Sequence, residues 1–544
     1  MQIRNVPKGS WRTLFKWGDP QFFYPIDARL TRFVEAWLGL SEEAQRQPRR
    51  PGLDPVRLPA ETTLTAAQQT RLQAMLGEEN VAVDGSSRAA FTYGSTYVDL
   101  LRLRLGQLEN VPAAVVRPRD EADLVALLGF CEAEGLPVVP SGGRSSVTQG
   151  LELAGSVVVD LTTHMHRVRE VRTQDLSAVV QAGLSGPALE KQLNQVDLTC
   201  GHFPQSFEFS TVGGWVAARG AGQQSTHYGK IEDRVLALRC VTPRGIVATP
   251  PYARAAMGPD LRQALIGSEG AFGVISEVTL QVAPRYRRGQ LPLCFFFRSM
   301  DKGLTFIRRM VQAGLRPGVC RLSDPEETEI ALLLDGMAGG AIDQSLRALG
   351  YKPHERVLVI AATEGEPSMA LHAATLAHGM ALSLGGLPTG GKPLRAWRKR
   401  RFMDPYLRDD LMDRGVIIDT LETIAPWSRL PELWQQVRRV VKSVPRRVCM
   451  SHISHAYEAG ANLYFIFMAP ALDADELGAF KAMHGEIVDA IVAAGGALSH
   501  HHGVGRLFAP RLPGQLGAPA MGMLRALKGE LDPQGIMNPG VFGL

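Results

Sequence analysis

The segment Pro140-Ser-Gly-Gly-Arg-Ser-Ser-Val147 decides how the rest of this chain is interpreted. Two more glycine-rich segments follow it, Glu208-Phe-Ser-Thr-Val-Gly-Gly214 and Gly267-Ser-Glu-Gly-Ala-Phe-Gly273. A single glycine pair usually marks a tight turn that needs a positive φ angle. Three such loops, each beside a β-rich segment, indicate instead a surface where backbone N–H groups converge on a pyrophosphate. The three loops therefore predict a dinucleotide cofactor.

The type of dinucleotide follows from what the loops lack. None of them has the pattern G-x-G-x-x-G after a strand, so the Rossmann fingerprint is missing. We therefore expect FAD rather than NAD. The residues expected to hold it are Pro140, Ser141, Gly142, Gly143, Arg144, Ser145 and Ser146 in the first loop, Ser210, Thr211, Gly213 and Gly214 in the second, and Glu269, Gly270, Gly273, Val274 and Ile275 in the third.

Length and composition narrow the class of protein. A chain of 544 residues with 45% hydrophobic content fits two or three globular domains with a large core. No stretch approaches eighteen consecutive apolar residues, and the first residues lack the apolar core of a secretory signal. The six cysteines contain no CxxC pair, so no disulfide framework or zinc site is expected. The formal charge of +5 is small for this length, and we expect no nucleic-acid partner.

Periodicity predicts an α+β fold in four parts. These are a helical N-terminal region over residues 1–108, an α+β unit over 109–285, a second α+β unit over 286–498, and a C-terminal segment over 499–544. We expect strands at 137–140, 156–161, 177–183, 293–297, 318–322, 357–362 and 462–468, a hairpin of 235–242 with 245–249, and helices at 29–38, 121–134, 303–313, 367–384 and 475–494.

The loop Ser499-His-His-His-Gly-Val-Gly-Arg506 is the strongest catalytic candidate. Histidine titrates near neutral pH, so it can act as a general base or hold a phosphate. In an extended segment His500 and His502 would share one side and His501 would face the other. The alternatives are a surface cluster and a chance metal trap.

Three other polar residues stand in apolar surroundings. Tyr464 lies in the predicted strand over 462–468, where a core aromatic with a satisfied hydroxyl is the alternative to a catalytic role. Arg321 and Arg408 are each framed by apolar residues and need anionic partners there. Each could bind an anionic substrate or form a structural ion pair.

At this point the order of motifs is similar to a known family. The chain resembles the alkyldihydroxyacetonephosphate synthases, in the vanillyl-alcohol oxidase (PCMH-type) group of FAD proteins. The resemblance spans most of the chain. Its segments include Lys16-Trp-Gly-Asp19, Gly201–Trp215, Tyr228–Asp233, Arg321-Leu-Ser-Asp324, Tyr406-Leu-Arg-Asp409, Glu422–Trp427, Tyr457–Ala461 and Ser499–Gly505.

The resemblance implies a two-part FAD-binding domain at 109–285 and a ferredoxin-like cap at 286–498, with substrate between them. It implies exchange of the acyl group of acyl-dihydroxyacetone phosphate for a long-chain fatty alcohol, with flavin N5 holding the substrate and no net redox change. Tyr464, His500, His501 and His502 would transfer protons and position substrate. Arg408 and Thr420 would bind substrate around its phosphate, and Arg321 would hold the site together.

The sequence departs from this family's pattern at three places. Arg144 replaces the usual third glycine of the first loop, and Thr420 replaces a serine but keeps a hydroxyl. The C-terminal Met537-Asn-Pro-Gly540 looks more like flavin dehydrogenases of the same superfamily. Covalent flavins of the superfamily are often attached through a histidine near the first loop. Residues 141–148 contain none, so we expect noncovalent FAD.

The main alternative is an FAD-dependent 2-hydroxyacid dehydrogenase or oxidase. Those enzymes use a metal site written Gly-His-x-Gly-x-Gly-Asn-x-His, and Tyr464 stands where its last histidine belongs. Losing one ligand from so small a set removes most metal affinity, so we expect no metal. A non-enzymatic flavin-binding protein is a third interpretation, but it has no use for the arginine, tyrosine and histidine set.

Location and assembly are expectations of the same kind. The last residues are not a peroxisomal tripeptide, which suits a bacterial, cytoplasmic member of the family. The amphiphilic substrates suggest peripheral contact with the inner face of a membrane. We also expect a homodimer.

Overall fold

The computed structural model describes residues 5–58, 61–472 and 475–544. Its mixed helices and sheets confirm the predicted α+β class. The N-terminal region is mostly helical. Its elements are α1 (Trp11–Phe15), α2 (Ala28–Leu38), α3 (Glu42–Arg46), α4 (Ala66–Leu76), β1 (Val81–Ala82), α5 (Gly85–Ala90) and α6 (Tyr97–Arg104). The predicted helix at 29–38 is α2, which begins after the cap Asp27 and ends at Gly39 in the left-handed conformation.

The first sheet follows this region and has the order β1-β2-β4-β3. Strands β2 (Ala114–Val116), β3 (Val138–Ser141) and β4 (Val157–Asp160) are parallel, and α7 (Glu121–Glu134) connects β2 to β3. Their valines are fully buried, as expected of parallel strands covered on both faces. Because β3 ends at Ser141, it delivers the first glycine loop to the edge of this sheet.

The second sheet is antiparallel, in the order β5-β6-β10-β8-β9. Its elements are β5 (Val168–Arg172), β6 (Ser177–Gln181), β8 (Val235–Thr242), β9 (Gly245–Ala248) and β10 (Val274–Gln281), with helices α8 (Gly186–Leu193), α9 (Val212–Ala217), α10 (Ser225–Tyr228), α11 (Ile231–Arg234) and α12 (Arg262–Leu265) and a small pair β7 (Leu198–Thr199) and β11 (Ala283–Pro284). The third glycine loop leads into strand β10 of this sheet, and the second precedes helix α9, which packs on β6 and β10. The predicted hairpin is β8–β9.

The third sheet has seven strands in the order β15-β12-β14-β13-β17-β18-β16. Its strands are β12 (Pro292–Phe297), β13 (Val319–Ser323), β14 (Val357–Ala362), β15 (Leu387–Pro388), β16 (Val416–Pro426), β17 (Val448–Ile453) and β18 (Gly460–Pro470). Its helices are α13 (Met300–Gln312), α14 (Pro325–Leu334), α15 (Ala341–Ala348), α16 (Pro367–Ser383), α17 (Lys392–Arg400), α18 (Asp404–Met412), α19 (Leu430–Lys442) and α20 (Glu476–Ala493). All pairings among these strands are antiparallel.

The segment 451–464, which aligns with the dehydrogenase motif ending at Tyr464, is not one continuous strand, because β17 ends at Ile453 and β18 begins at Gly460. The side chain of Asn462 accepts the N–H groups of Ser454 and His455 and so stabilises the turn between them. The C-terminal segment contains the helix α21 (Leu512–Leu531), which was not predicted from the sequence.

Candidate active site

The three glycine loops lie against one another. A Cβ on Gly142 would come within 2.3 Å of Oγ1 of Thr211, and one on Gly143 within 1.9 Å of the carbonyl oxygen of Phe209. A Cβ on Gly270, whose φ is +79°, would lie 2.9 Å from Cδ of Pro140. Backbone segments pack this closely only where side chains are absent. The first loop therefore contacts both of the others.

This arrangement fits a dinucleotide. Three buried hydroxyls in or next to the loops, those of Ser141, Thr148 and Ser268, have no hydrogen-bond partner among the described residues. Buried polar atoms are normally paired, so unpaired hydroxyls in these loops indicate a ligand that completes them. In the second loop the hydroxyl of Thr211 caps α9, and the hydroxyl of Ser210 accepts from the indole of Trp215.

Two residues predicted to hold the cofactor point their side chains elsewhere. Arg144 has a φ of +55°, which explains why glycine suits this position, and its guanidinium donates to the carbonyl of Ala90 and lies over Phe91. The carboxylate of Glu269 accepts the N–H groups of Val504 and Gly505. Because its side chain points away, Arg144 can offer a cofactor only its backbone. Glu269 connects the third glycine loop to the histidine loop.

The carboxylate of Glu422, on β16, organises the histidine loop. It accepts hydrogen bonds from Oγ of Ser499 and from the backbone N–H groups of His500, His501 and His502 at 2.6–3.1 Å. Burial opposes its ionisation. The neighbouring His501 and His502 and the hydrogen bonds outweigh that effect and pull the pKa of Glu422 well below its usual range.

Wrapping around Glu422 makes this loop a turn, so the expected alternation of the three histidines is wrong. The Nδ1 atoms of His500 and His501 are 3.0 Å apart. His500 faces Tyr457, whose hydroxyl lies 2.8 Å from its Nε2, while His501 and His502 lie beside Tyr464, with ring centroids 6.0 and 5.7 Å away. Alternation requires an extended backbone, and the four convergent donors bend it instead.

Tyr464 lies at the centre of the candidate site, on β18. Its hydroxyl donates to Oγ1 of Thr420 on β16 at 3.0 Å, and its ring stacks on His452 at 4.9 Å. Burial raises the pKa of Tyr464, so its hydroxyl keeps its proton near neutral pH. Burial lowers the pKa of His502 to about 4 and that of His500 well below its ordinary value. The site thus holds neutral imidazoles beside a protonated phenol, a combination able to accept and donate protons.

The two arginines occupy different positions. Arg321 pairs with Glu327 at 2.5 Å and donates to Nδ1 of His452 at 3.1 Å, so it reaches Tyr464 only through His452. Arg408 donates to the carbonyl of Ser95 at 3.0 Å, and its Nε is buried without a partner in the described part of the chain. Arg408 therefore keeps an N–H group that could bind an anion. Arg321 instead forms a structural ion pair with Glu327.

Sequence reasoning missed several residues here. Asp419 lies beside Thr420, and burial raises the pKa of its carboxyl to about 6 despite the charge of Arg408. His455 and Tyr457 face His500, and Nζ of Lys230 donates to the carbonyl of His500 at 2.6 Å. The acids Asp419 and Glu422 within the otherwise apolar stretch 416–426 were the signal in the sequence that could have pointed to a buried polar site.

Three histidines lie close enough together to bind a metal ion. Ligand atoms of His455, His500 and His501 lie within 4.8 Å of one another. Nε2 of His455 also lies 2.8 Å from the carbonyl oxygen of Gly222. The expectation that the enzyme needs no metal stays a prediction, tested below.

Comparison with known proteins agrees with this geometry. Residues 112–249 match the family model "FAD binding domain" and residues 291–542 match "FAD linked oxidases, C-terminal domain". An alkyldihydroxyacetonephosphate synthase from Caenorhabditis elegans is 30% identical over 467 residues, which cover 82% of this chain and 78% of the relative. The chain belongs to the alkyldihydroxyacetonephosphate synthase family. The synthase of Dictyostelium discoideum is 29% identical over 86% of this chain and 79% of its own length.

The fold of this family member matches a solved synthase. The structure of an alkyldihydroxyacetonephosphate synthase superposes with a TM-score of 0.81 at 24% identity, over 97% of this chain and 96% of that one. Family and domain matches confirm FAD as the cofactor. In the described residues, no helix has the length and apolarity to cross a membrane.

Proposed function

We propose that this protein exchanges the acyl group of acyl-dihydroxyacetone phosphate for a long-chain fatty alcohol and so forms an ether bond. The cluster of Tyr464, Thr420 and the two histidines beside them, with the free donor of Arg408 nearby, carries the proposal. Family membership supports it. A dehydrogenase built on a histidine metal site has no equivalent use for a protonated tyrosine at this position.

Each residue has a role that its contacts allow. Arg408 binds the phosphate, because a guanidinium with an unsatisfied N–H can pair with a phosphate oxygen. The hydroxyl of Tyr464 donates to Thr420, whose own hydroxyl donates to the dihydroxyacetone carbonyl, so Tyr464 acts as a general acid through Thr420 and acidifies the adjacent C–H. Neutral His502, beside His501, accepts that proton and later returns one. His500, bonded to Tyr457, holds the loop, and Arg321 positions Tyr464 through His452.

FAD, when bound, supplies a nitrogen centre that carries the substrate without net oxidation or reduction. The loop residues predicted from sequence hold it through backbone N–H groups and the hydroxyls of Ser141 and Thr148. We propose that the flavin is noncovalent. Precipitation with acid should leave the yellow colour in the supernatant, and colour in the pellet would contradict this.

The four-part division of the chain and its assembly belong to the same proposal. The FAD-binding match, 112–249, lies within the predicted part 109–285. The second match, 291–542, spans the predicted parts 286–498 and 499–544. Both matches support a cofactor domain followed by a cap. A homodimer in the cytoplasm, in peripheral contact with the inner membrane face, would suit amphiphilic substrates.

The reaction is tested by offering both classes of substrate. We expect the purified flavoprotein to convert palmitoyl-dihydroxyacetone phosphate and hexadecanol to the ether product with release of palmitate, and EDTA should leave this rate unchanged. A panel of 2-hydroxyacids with a dye acceptor should give no comparable turnover. Dye reduction that EDTA abolishes and a divalent metal restores would show a dehydrogenase instead.

A further inference from the structure

Helix α16 is a surface helix without charges. Its seventeen residues contain no Asp, Glu, Lys or Arg. Four alanines form its inner face, and large apolar side chains point outward: Met369, Leu371 and Leu382 are 69%, 60% and 59% exposed. A surface helix normally carries charged residues on its outer face. This outer face is therefore suited to a partner that is apolar.

A groove next to this helix extends the apolar surface. It encloses about 520 Å³ where α16 meets β12, β15 and the turn before α17. Its lining includes Leu291, Pro292, Leu371, Ala374, His378 and Pro388. Because β15 is the outermost strand of the seven-stranded sheet, the groove opens at the end of the sheet.

Cations without partners flank the helix on both sides. Helix α13 packs beside α16 on one face of the sheet, and α17 begins at the groove. The guanidinium of Arg395 lies next to Gly391 and Pro292. None of the following exposed cations has a carboxylate within ion-pair distance in the described residues: Lys302, Arg308 and Arg309 on α13, and Lys392, Arg395 and Lys399 on α17.

We infer that this end of the sheet, formed by α16, its groove and the flanking cations, docks on an anionic lipid bilayer. The apolar side chains would enter the acyl boundary while the cations meet lipid phosphates, the combination that holds interfacial helices on membranes. A second copy of the chain fits less well. In a two-fold contact the cationic flanks of one copy would face cationic flanks of the other, and like charges repel.

The inference does not depend on the reaction, so binding can be measured without turnover. We would sediment the holoenzyme with vesicles of phosphatidylcholine containing phosphatidylglycerol, and with phosphatidylcholine alone, at low and high salt. Binding is expected for the anionic vesicles only, weaker at high salt. Lys392→Gln/Arg395→Gln/Lys399→Gln should reduce the partition coefficient about a hundredfold, since each cation near an anionic surface contributes about fivefold.

The apolar contribution is tested separately. Leu371→Gln/Leu382→Gln should weaken binding at least about tenfold, because two leucines lose their burial in the bilayer. Leu516→Gln/Met523→Gln on α21 is the matched control, with similar exposure and expected wild-type binding. Flavin content and melting temperature report folding. The inference would be overturned if wild-type protein did not bind anionic vesicles, or if the α16 variant bound them as tightly as wild type does. It would also be overturned if the α16 variant merely dissociated a dimer in sedimentation velocity.

Discussion

Glu422 shows how one side chain can set the geometry of a catalytic loop. Four donors of the loop converge on its carboxylate, and they bring His501 and His502 to Tyr464. The sequence identified the histidines because three in a row are rare. It could not give their orientation, because that depends on a carboxylate 77 positions earlier in the chain.

Tyr464→Phe is the residue-scale test of the proposed proton transfer. The change removes one hydroxyl and little volume, so the flavin content and the free energy of unfolding should stay near those of wild type. Ether formation should fall by about a hundredfold to ten-thousandfold, the usual contribution of a general acid or base. Stopped-time product assays would measure it.

Tyr351→Phe is the matched control for that change. The hydroxyl of Tyr351 is also hydrogen-bonded, to the carbonyl of Gly385 at 2.7 Å, but Tyr351 packs in a separate hydrophobic cluster with Cys294, Phe296 and Leu358. Its loss should leave turnover unchanged. Equal effects of the two substitutions would show that Tyr464 is a structural aromatic.

Among the elements, the strands that carry the site were the hardest to predict. Strand β16 reads Val-Ile-Ile-Asp-Thr-Leu-Glu-Thr-Ile-Ala-Pro and was not expected as a strand. Its interior polar residues Asp419, Thr420 and Glu422 interrupt the apolar run on which strand prediction depends. Those residues are polar because they form the candidate site. The same polar residues remove the apolar pattern by which β16 could have been predicted as a strand. Strands without site residues, such as β14, were predicted at their exact bounds.

Helix α20 provides an element-scale test of pH dependence. His484 lies between Phe480 and Phe508, and burial, aided by Arg511, lowers the pKa of His484 to about 4. The unfolded chain binds this proton below about 6.5 and the folded chain only below about 4. Wild type therefore loses stability as the pH falls through this window.

His484→Phe removes that proton and keeps the ring stacking. Relative to wild type, the variant should gain about 2 kcal/mol in the free energy of unfolding between pH 7 and pH 4.5. Urea unfolding at the two pH values measures the difference. A constant difference between the two proteins would mean that His484 titrates normally in the folded state.

At the scale of the whole molecule, the N-terminal region holds the helix that bears Arg408. Buried Arg12 and Lys16 pair with Asp410, and Arg12 also pairs with Asp413, both on or next to α18. The backbone N–H of Trp17 donates to Asp409. Residues 1–108 were predicted only as a helical region, because contacts between residues so far apart in the chain leave no local sequence pattern.

Arg12→Met should therefore destabilise the protein by about 3–5 kcal/mol, since it leaves buried carboxylates with less compensation. Arg46→Met is the matched control. Arg46 forms an exposed pair with Glu42, and its loss should cost no more than about 1 kcal/mol. Urea unfolding followed by tryptophan fluorescence compares them. Similar small losses for both would show that the N-terminal contact does not anchor α18.

The glycine loops and the last residues of the chain share one sheet edge. Val138 on β3 donates to the carbonyl of Ile536 and accepts from the N–H of Asn538, so residues 536–538 cover the outer edge of β3. During synthesis the ribosome makes β3 long before it makes this covering segment. The edge of β3 therefore stays open until residues 536–538 have been made, and exposed edges invite pairing with other chains. A stop codon anywhere in α21 would consequently uncover a strand that lies far earlier in the sequence.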